Sequence, residues 1–253
     1  MPSSSSAPGV DWESYAVSYD AVTRANPAYR ALVARVETIL DGLGLAASGR
    51  TADLACGTGT FTRLLLERVP AGTVFALDRS EAFLAHLSAQ LGSKPALRAL
   101  RFDMDTDPFP EGDLDLVISI HALCHARDPG AVLRKVHGAL KPGGTFIVAD
   151  IGRPLDLAAW SRYLVGELGR EYARKGWGPL GALPALAFLM RHRKAAAANR
   201  AFEARQKAGL VWMHSLEEFV AALEDAGFAV HERDDREYRG IDSFAVARRP
   251  EGI

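Results

Sequence analysis

The chain has 253 residues, of which 48% are hydrophobic and 24% charged, and its formal net charge is −1. This length suits one α/β domain with an insertion, and the near-neutral charge provides no global field that would attract nucleic acid or a membrane. Cys56 and Cys124 are the two cysteines, and no Cys-x-x-Cys pair exists. This argues against a disulfide framework or zinc knuckle as the basis of the fold and suits a reducing cytoplasm.

The N-terminal region is predicted to pass from disorder into helix. Residues 1–10 contain a serine run and lack the basic and apolar segments of a signal peptide, so we expect a disordered tail. Residues 11–45 carry apolar side chains at helical spacing, with a stripe from Leu32 to Leu43. We therefore expect N-terminal helices ahead of the main domain.

Apolar segments alternate with helical segments from residue 51 onward. Strands are predicted at 51–56, 73–77, 97–102, 114–120 and 145–149, with helices between them. Such alternation with short connections predicts a doubly wound, Rossmann-like α/β fold with a parallel sheet. Sheets of this kind bind ligands at the carboxyl ends of their strands.

Residues 155–213 interrupt this alternation with helices predicted at 155–175, 183–193 and 195–210. They carry more large apolar side chains than an exposed connector should, so we expect a helical lid over an acceptor pocket. A capping-box pair, Ser215 and Glu218, then begins a helix, and strands follow at 228–232 and 244–247. The predicted organisation is a core of residues 11–154, a lid of 155–213 and closing elements in 214–253.

The sharpest local signal is the glycine turn DLACGTG at residues 53–59. Its glycines let a ligand approach the backbone closely, and Asp78, 21 residues after Gly57, could bind a ribose diol. A dinucleotide fingerprint requires Gly or Ala where Thr62 stands, which disfavours a pyrophosphate ligand. Asp53 could face a cationic ligand. A glycine turn that binds no nucleotide remains the alternative.

Several segments, taken in order, carry a family resemblance. Residues 53–59 resemble motif I of the class I S-adenosylmethionine (SAM)-dependent methyltransferases, and Asp78 resembles the acid of motif II. Residues 102–105 resemble the adenine-holding segment, and 141–144 resemble the turn before the fifth strand. Residues 115–129 resemble the UbiE-like group of this methyltransferase-domain family. The resemblance implies SAM as cofactor and a seven-stranded sheet whose last strand is antiparallel.

Strand-end positions and the resemblance together give three sets of candidate site residues. The cofactor set is Tyr15, Tyr19, Asp53, Ala55, Cys56, Gly57, Gly59, Asp78, Arg79, Asp103, Met104 and Ile120. The catalytic set is His121 and His125, and the acceptor set is Trp160, Tyr163, Leu186, Met190 and Trp212. No metal is expected. Core packing for the two tyrosines, a helix cap for Asp78, a turn for Asp103 and a structural role for His125 remain open.

These observations predict methyl transfer to a small, apolar or aromatic acceptor, with O-, N- and C-methylation all open. An NAD(P)-type oxidoreductase and a SAM- or nucleoside-binding protein without methyl transfer are the rivals. No nucleic-acid or membrane partner is expected. The basic stretch 191–207 is interpreted as a solvated helix face, with an anionic substrate or carrier protein as the alternative. Residues 155–213 could instead form a homodimer interface.

Overall fold

The computed structural model describes residues 12–252, without the side chains of residues 12–15 and 17. The expected tail of residues 1–10 lies outside the described residues. Two helices open the fold, α1 (Trp12–Ala25) and α2 (Pro27–Gly42). Asn26 separates them because its Oδ1 accepts the backbone N–H of Ala28 at 3.0 Å and caps α2. Pro27 takes the first helical position, where its missing N–H costs nothing.

A sheet of seven strands forms the centre of the chain. The strands are β1 (Arg50–Leu54), β2 (Thr73–Asp78), β3 (Leu97–Arg101), β4 (Leu114–Ile120), β5 (Leu140–Ile151), β6 (Ala229–Asp234) and β7 (Asp242–Arg248). Their order is β3-β2-β1-β4-β5-β7-β6. The first five strands are parallel and β7 is antiparallel to both of its neighbours, so the predicted sheet is confirmed.

Helices cover both faces of the sheet, as the alternation predicted. They are α3 (Thr60–Arg68), α4 (Glu81–Leu91), α5 (Pro129–Ala139) and α9 (Leu216–Asp225). Val132 of α5 and Phe219 of α9 share one apolar core, and Val36 of α2 and Leu65 of α3 share another. The predicted capping box is present, because Ser215 Oγ accepts from Glu218 N and Glu218 Oε2 accepts from Ser215 N.

Strand β5 begins earlier than predicted. Residues 141–144, expected as a turn, lie inside the strand because Leu140 pairs with Leu114 before the main register starts at Thr145 and Leu116. A bulge absorbs the difference in register. Gly144 permits the close approach, since a Cβ there would lie 2.9 Å from the carbonyl oxygen of Leu114.

Three helices fill the segment between β5 and α9. They are α6 (Leu157–Tyr172), α7 (Ala182–Arg191) and α8 (Arg193–Lys207). Trp160 of α6 and Phe202 of α8 share an apolar cluster, while Ala195 and Ala198 of α8 pack with Ala16 of α1. This packing places the segment above the carboxyl edge of the sheet. Within the described residues, no helix is long and apolar enough to cross a bilayer.

Candidate active site

A cavity opens at the carboxyl ends of β1, β2, β4 and β5, between the sheet and the helical segment. At the sheet end it is lined by Leu54, Ala55, Gly57, Asp78, Arg79, Phe83, Phe102, Asp103, Met104, Asp105 and Ile120. Towards the helices it is lined by Tyr19, Val22, Thr23, Asn26, His121, Ala122, His125, Ile151, Leu155, Trp160, Ala198, Asn199, Phe202 and Tyr238. This is the position at which doubly wound sheets bind ligands.

Asp78 holds the glycine turn in place. Its Oδ2 accepts the backbone N–H of Gly57 at 2.8 Å, and its Oδ1 accepts that of Ser80 at 2.9 Å. Helix α4 is capped by Ser80, whose Oγ accepts from Phe83 N at 3.2 Å, so the cap does not depend on Asp78. Each carboxylate oxygen can accept more than one hydrogen bond. The carboxylate also lines the cavity, where it can accept from a ligand hydroxyl.

The sheet end of the cavity fits a nucleoside. Gly57 has a φ of +52° and lines the cavity without a side chain. Asp78 can accept from a diol, and the Phe102 and Met104 side chains offer an apolar surface for a flat base. Asp103 Oδ1 accepts the N–H of Asp105 at 3.0 Å and orders the turn after β3. These residues would hold the nucleoside part of SAM.

Asp53, Cys56 and Gly59 shape the turn instead of lining the cavity. Asp53 is buried and accepts from Thr62 Oγ1 at 2.6 Å, and burial raises the pKa of this carboxyl to about 7. Instead of the expected contact with a cationic ligand, the Asp53 carboxyl thus forms a buried hydrogen bond with the Thr62 hydroxyl. Cys56 packs in the core beside Leu87, and a Cβ at Gly59 would meet the same leucine at 2.9 Å.

His121 sits where β4 ends, with its backbone N–H donated to the carbonyl oxygen of Ala149 at 2.7 Å. His121 has a φ of +57°, which is uncommon for a non-glycine residue. With this backbone conformation the chain leaves β4 and continues along the wall of the cavity, where His121 and Ala122 lie. The Nε2 atom lies 2.6 Å from Oδ2 of the buried Asp242. Burial is the largest single effect and disfavours the imidazolium, but the charge and hydrogen bond of Asp242, together with the charge of Asp150, raise the pKa of His121 overall. For the Asp242 carboxyl, burial disfavours the charged form and therefore raises the pKa.

His125 lines the same cavity in a different environment. Its ring meets Phe202 edge-on, with centroids 5.3 Å apart. Burial lowers the pKa of His125 to about 4, so the ring is neutral at physiological pH. A group of such low basicity is suited to forming a wall and poorly suited to accepting a proton.

An aromatic wall completes the cavity beside His121. The ring centroid of Tyr238 is 4.5 Å from that of His121 and 4.8 Å from that of Trp160. Buried Asn26 fixes the tyrosine, since its Nδ2 donates to the Tyr238 hydroxyl at 3.0 Å. Sequence reasoning missed Asn26, Tyr238 and Asp242. A carboxylate at the start of an apolar strand was the available signal for Asp242, whereas Tyr238 carried none.

The structure brings only part of the predicted acceptor set to the cavity. Trp160 lines it, and Tyr163 lies behind Trp160 with its ring centroid 5.5 Å away. Leu186 and Met190 are exposed, because α7 turns its buried side, with Ala185, inward. Trp212 packs in the core against Phe219, with centroids 5.9 Å apart. These last three positions correct the expectation that they line an acceptor pocket.

Of the two tyrosines predicted to cover the cofactor, Tyr19 lines the cavity and meets Phe83 edge-on at 5.6 Å. Burial raises the pKa of Tyr19 to about 12. The side chain of Tyr15 lies outside the described residues. Ala55, Arg79 and Ile120, also predicted, line the cavity.

The fold and this cavity define a nucleoside-binding α/β protein of the Rossmann-like type. Residues 52–148 match the family profile described as a methyltransferase domain. The matched residues 52–148 thus form a methyltransferase domain of the class I SAM-dependent type. The match ends before α6, so the helical segment has no counterpart in it.

Known proteins similar to this chain agree with that family. It is 32% identical over 124 residues to an uncharacterised methyltransferase of Synechocystis sp., covering 48% of this chain and 56% of that protein. It is 31% identical over 141 residues to a ubiquinone biosynthesis O-methyltransferase of Pseudomonas aeruginosa, covering 54% and 57%. The chain thus spans little more than half the length of these relatives.

A solved structure extends the likeness in fold across nearly the whole chain. A Haloferax volcanii methyltransferase in complex with the Trm112 methyltransferase activator superposes with a TM-score of 0.65 at 18% identity. The match covers 96% of this chain and 100% of that one. At this identity the likeness concerns the fold alone.

Proposed function

We propose that this chain transfers a methyl group from SAM to a small aromatic or apolar acceptor, with an aromatic hydroxyl as the best fit. One observation carries the proposal. A single cavity has the Gly57–Asp78 turn at one end and the wall of His121, Tyr238 and Trp160 at the other. Cofactor and acceptor sites that share one cavity are what a direct transfer requires.

The residues at the acceptor end have distinct roles in this proposal. SAM, when bound, supplies a methyl group made reactive by its sulfonium charge. Trp160 and Tyr238, whose rings are in contact, form one aromatic wall against which a flat acceptor lies, and they keep water out. His121 takes the acceptor's hydroxyl proton, because its Nε2–H donates to Asp242 and leaves Nδ1 as the basic nitrogen. Asp242 then balances the charge of the imidazolium.

The similarity to a protein named for ubiquinone biosynthesis supports a ring hydroxyl as the acceptor. A hydroxyl must lose its proton during methylation, which matches the base beside Asp242. An acceptor that is already an anion would need only placement. The base beside Asp242 therefore suits an acceptor that must lose a proton, and among these the relative named as an O-methyltransferase supports a hydroxyl.

Residues 155–213 act as the lid in this proposal. Leu155, Trp160 and Phe202 supply much of the acceptor wall, and all three belong to one buried cluster. Residues 12–154 and 214–252 form the core beneath. Both cysteines are free and buried, which suits the cytoplasm.

Calorimetry with SAM, S-adenosylhomocysteine and NAD is the first test, followed by transfer of labelled methyl from SAM to a series of ring hydroxyl acceptors. We expect binding of the first two ligands and turnover on a catechol-like ring. Preferential NAD binding would show an oxidoreductase. SAM binding with no transfer to any acceptor would show a binding protein without methyl transfer.

A further inference from the structure

Most of the exposed large apolar side chains in the described part of the chain are concentrated on one short stretch. Trp177, Leu180, Leu183, Leu186 and Met190 are between 47% and 73% exposed. Elsewhere in residues 12–252 only Leu100 and Leu210 are comparable. We call residues 174–194, which include α7 and the turns on either side, the α7 surface.

Helix α7 shows an apolar face to solvent. Leu183, Leu186 and Met190 follow one another at helical spacing and lie on one side. Ala185, on the other side, is fully buried. A globular helix normally turns polar residues outward, so this outward face is unusual for a helix that only covers a core.

The charge of the α7 surface has one sign. No aspartate or glutamate occurs between Glu171 and Glu203, whereas the cations are Arg174, Lys175, Arg191, Arg193, Lys194 and Arg200. Arg191, Arg193 and Lys194 are exposed at the end of α7. In the described portion of the molecule these three form no ion pair. The net charge of −1 for the whole chain conceals this local concentration.

We propose that the α7 surface adsorbs to the headgroup region of an anionic lipid bilayer. Exposed Leu, Met and Trp side chains beside Arg and Lys are what an interfacial helix uses to bind such a surface. The 10 residues of α7 are too few to cross a bilayer, so the helix lies in the plane of the interface. The proposal departs from the expectation, drawn from net charge, of no membrane partner.

A second copy of the chain fits this surface less well. Two-fold pairing through the α7 surface would bring the cations of both copies into one interface, with no acidic residue of that surface to balance them, and like charges repel. An anionic bilayer satisfies the apolar and basic parts of the surface at once. Charge therefore decides between the two occupants.

Sedimentation with lipid vesicles tests this proposal. We expect the full chain to sediment with phosphatidylglycerol–phosphatidylcholine vesicles and to remain largely free with phosphatidylcholine alone. Leu186→Glu should weaken binding about tenfold or more, because a leucine loses its apolar contact. Leu210→Glu is the matched control, since both leucines are 47% exposed and the charge change is the same. Circular dichroism checks that both variants fold.

The cations are tested separately. Replacing Arg191, Arg193 and Lys194 by Gln should weaken vesicle binding about fivefold for each cation removed. The same replacement of Lys94, Arg98 and Arg101, exposed cations near β3, should leave binding nearly unchanged.

Wild-type protein that does not sediment with anionic vesicles would overturn the proposal. So would a wild-type dimer, measured by light scattering, that Leu186→Glu converts to monomer. Sedimentation measures lipid binding and not methyl transfer, so its result does not depend on whether the proposed activity is correct.

Discussion

His121 Nε2 and Asp242 Oδ2 lie 2.6 Å apart and join the end of β4 to the start of β7. These strands are not neighbours in the sheet, because β5 runs between them. The side chains meet above the carboxyl end of β5, on the wall of the cavity. The pair thus fixes the imidazole of His121 on the wall of the cavity, with Nε2 against the Asp242 carboxylate.

His121→Ala should lower turnover by about 10²–10⁴-fold with SAM affinity near wild type, since general-base catalysis contributes this much. Asp242→Asn should lower it by a similar order, because the amide can donate to Nε2 and leave the proton on Nδ1. Steady-state kinetics and calorimetry measure the two quantities. His231→Ala, at an exposed position on β6, is the control. Full-rate turnover in His121→Ala would remove the residue from the mechanism.

The dependence of turnover on pH, measured for wild type and Asp242→Asn, gives a second test of the His121–Asp242 pair. Because Asp242 raises the pKa of His121, the neutral base accumulates above the ordinary value of about 6.5, and turnover should increase with pH there. In Asp242→Asn the residual activity should begin to rise at lower pH, since the raising charge is gone. A pH profile of turnover in Asp242→Asn that matches that of wild type would contradict the Asp242 charge as the cause of the raised His121 pKa.

Asp78→Ala should weaken SAM binding by about 1.5–3 kcal/mol, the range for hydrogen bonds to a charged group. The carboxylate holds Gly57 N at 2.8 Å and lines the cavity, so both turn and ligand lose a partner. Calorimetry with SAM measures the change. Asp225→Ala, at the exposed end of α9, should bind as wild type does.

Gly57→Val should abolish SAM binding while the fold persists. The glycine has a φ of +52° and lines the cavity, so a β-branched side chain is both strained and obstructive there. Gly42→Val, at a position with nothing within 4 Å of an added Cβ, is the comparison. Equal SAM affinity in the two variants would refute the assignment of the cofactor end.

Tyr238→Phe should raise the KM for the acceptor with little change in SAM affinity. The hydroxyl accepts from Asn26 Nδ2 at 3.0 Å, and its removal frees the ring that packs between His121 and Trp160. A looser wall positions the acceptor less well. Steady-state kinetics with the acceptor varied will show whether KM changes. Tyr172→Phe, on the outer end of α6, should match wild type.

The stability of the chain should depend on pH through Asp53. Its folded pKa, raised by burial to about 7, exceeds the unfolded value of about 4. The native state therefore keeps a proton that the unfolded chain releases, so this contribution is complete below about pH 4 and is lost as pH rises through about 7. The stability of wild type relative to Asp53→Asn should fall between about pH 4 and about pH 7. Urea denaturation measures it, with Asp225→Asn as the flat control.

Much of the fold and cofactor end could be predicted from local sequence. Alternating apolar segments identify buried parallel strands, and the carboxyl ends of parallel strands meet at one edge of the sheet. Gly57, Asp78 and Asp103 each follow a predicted strand directly and Met104 comes one residue later, so chain order alone brings them together.

The acceptor end was decided by tertiary structure. Asn26 lies between the first two helices, whereas Tyr238 and Asp242 lie four residues apart, just before and at the start of the last strand, and no spacing rule connects these two places with each other or with His121. The faces of α7 were also undetermined, because a helix apolar on all sides gives no period by which to choose its buried side. Local sequence determines which elements form and where each strand ends. Only packing decides which distant side chains share a wall, since that depends on how separate elements bury their surfaces together.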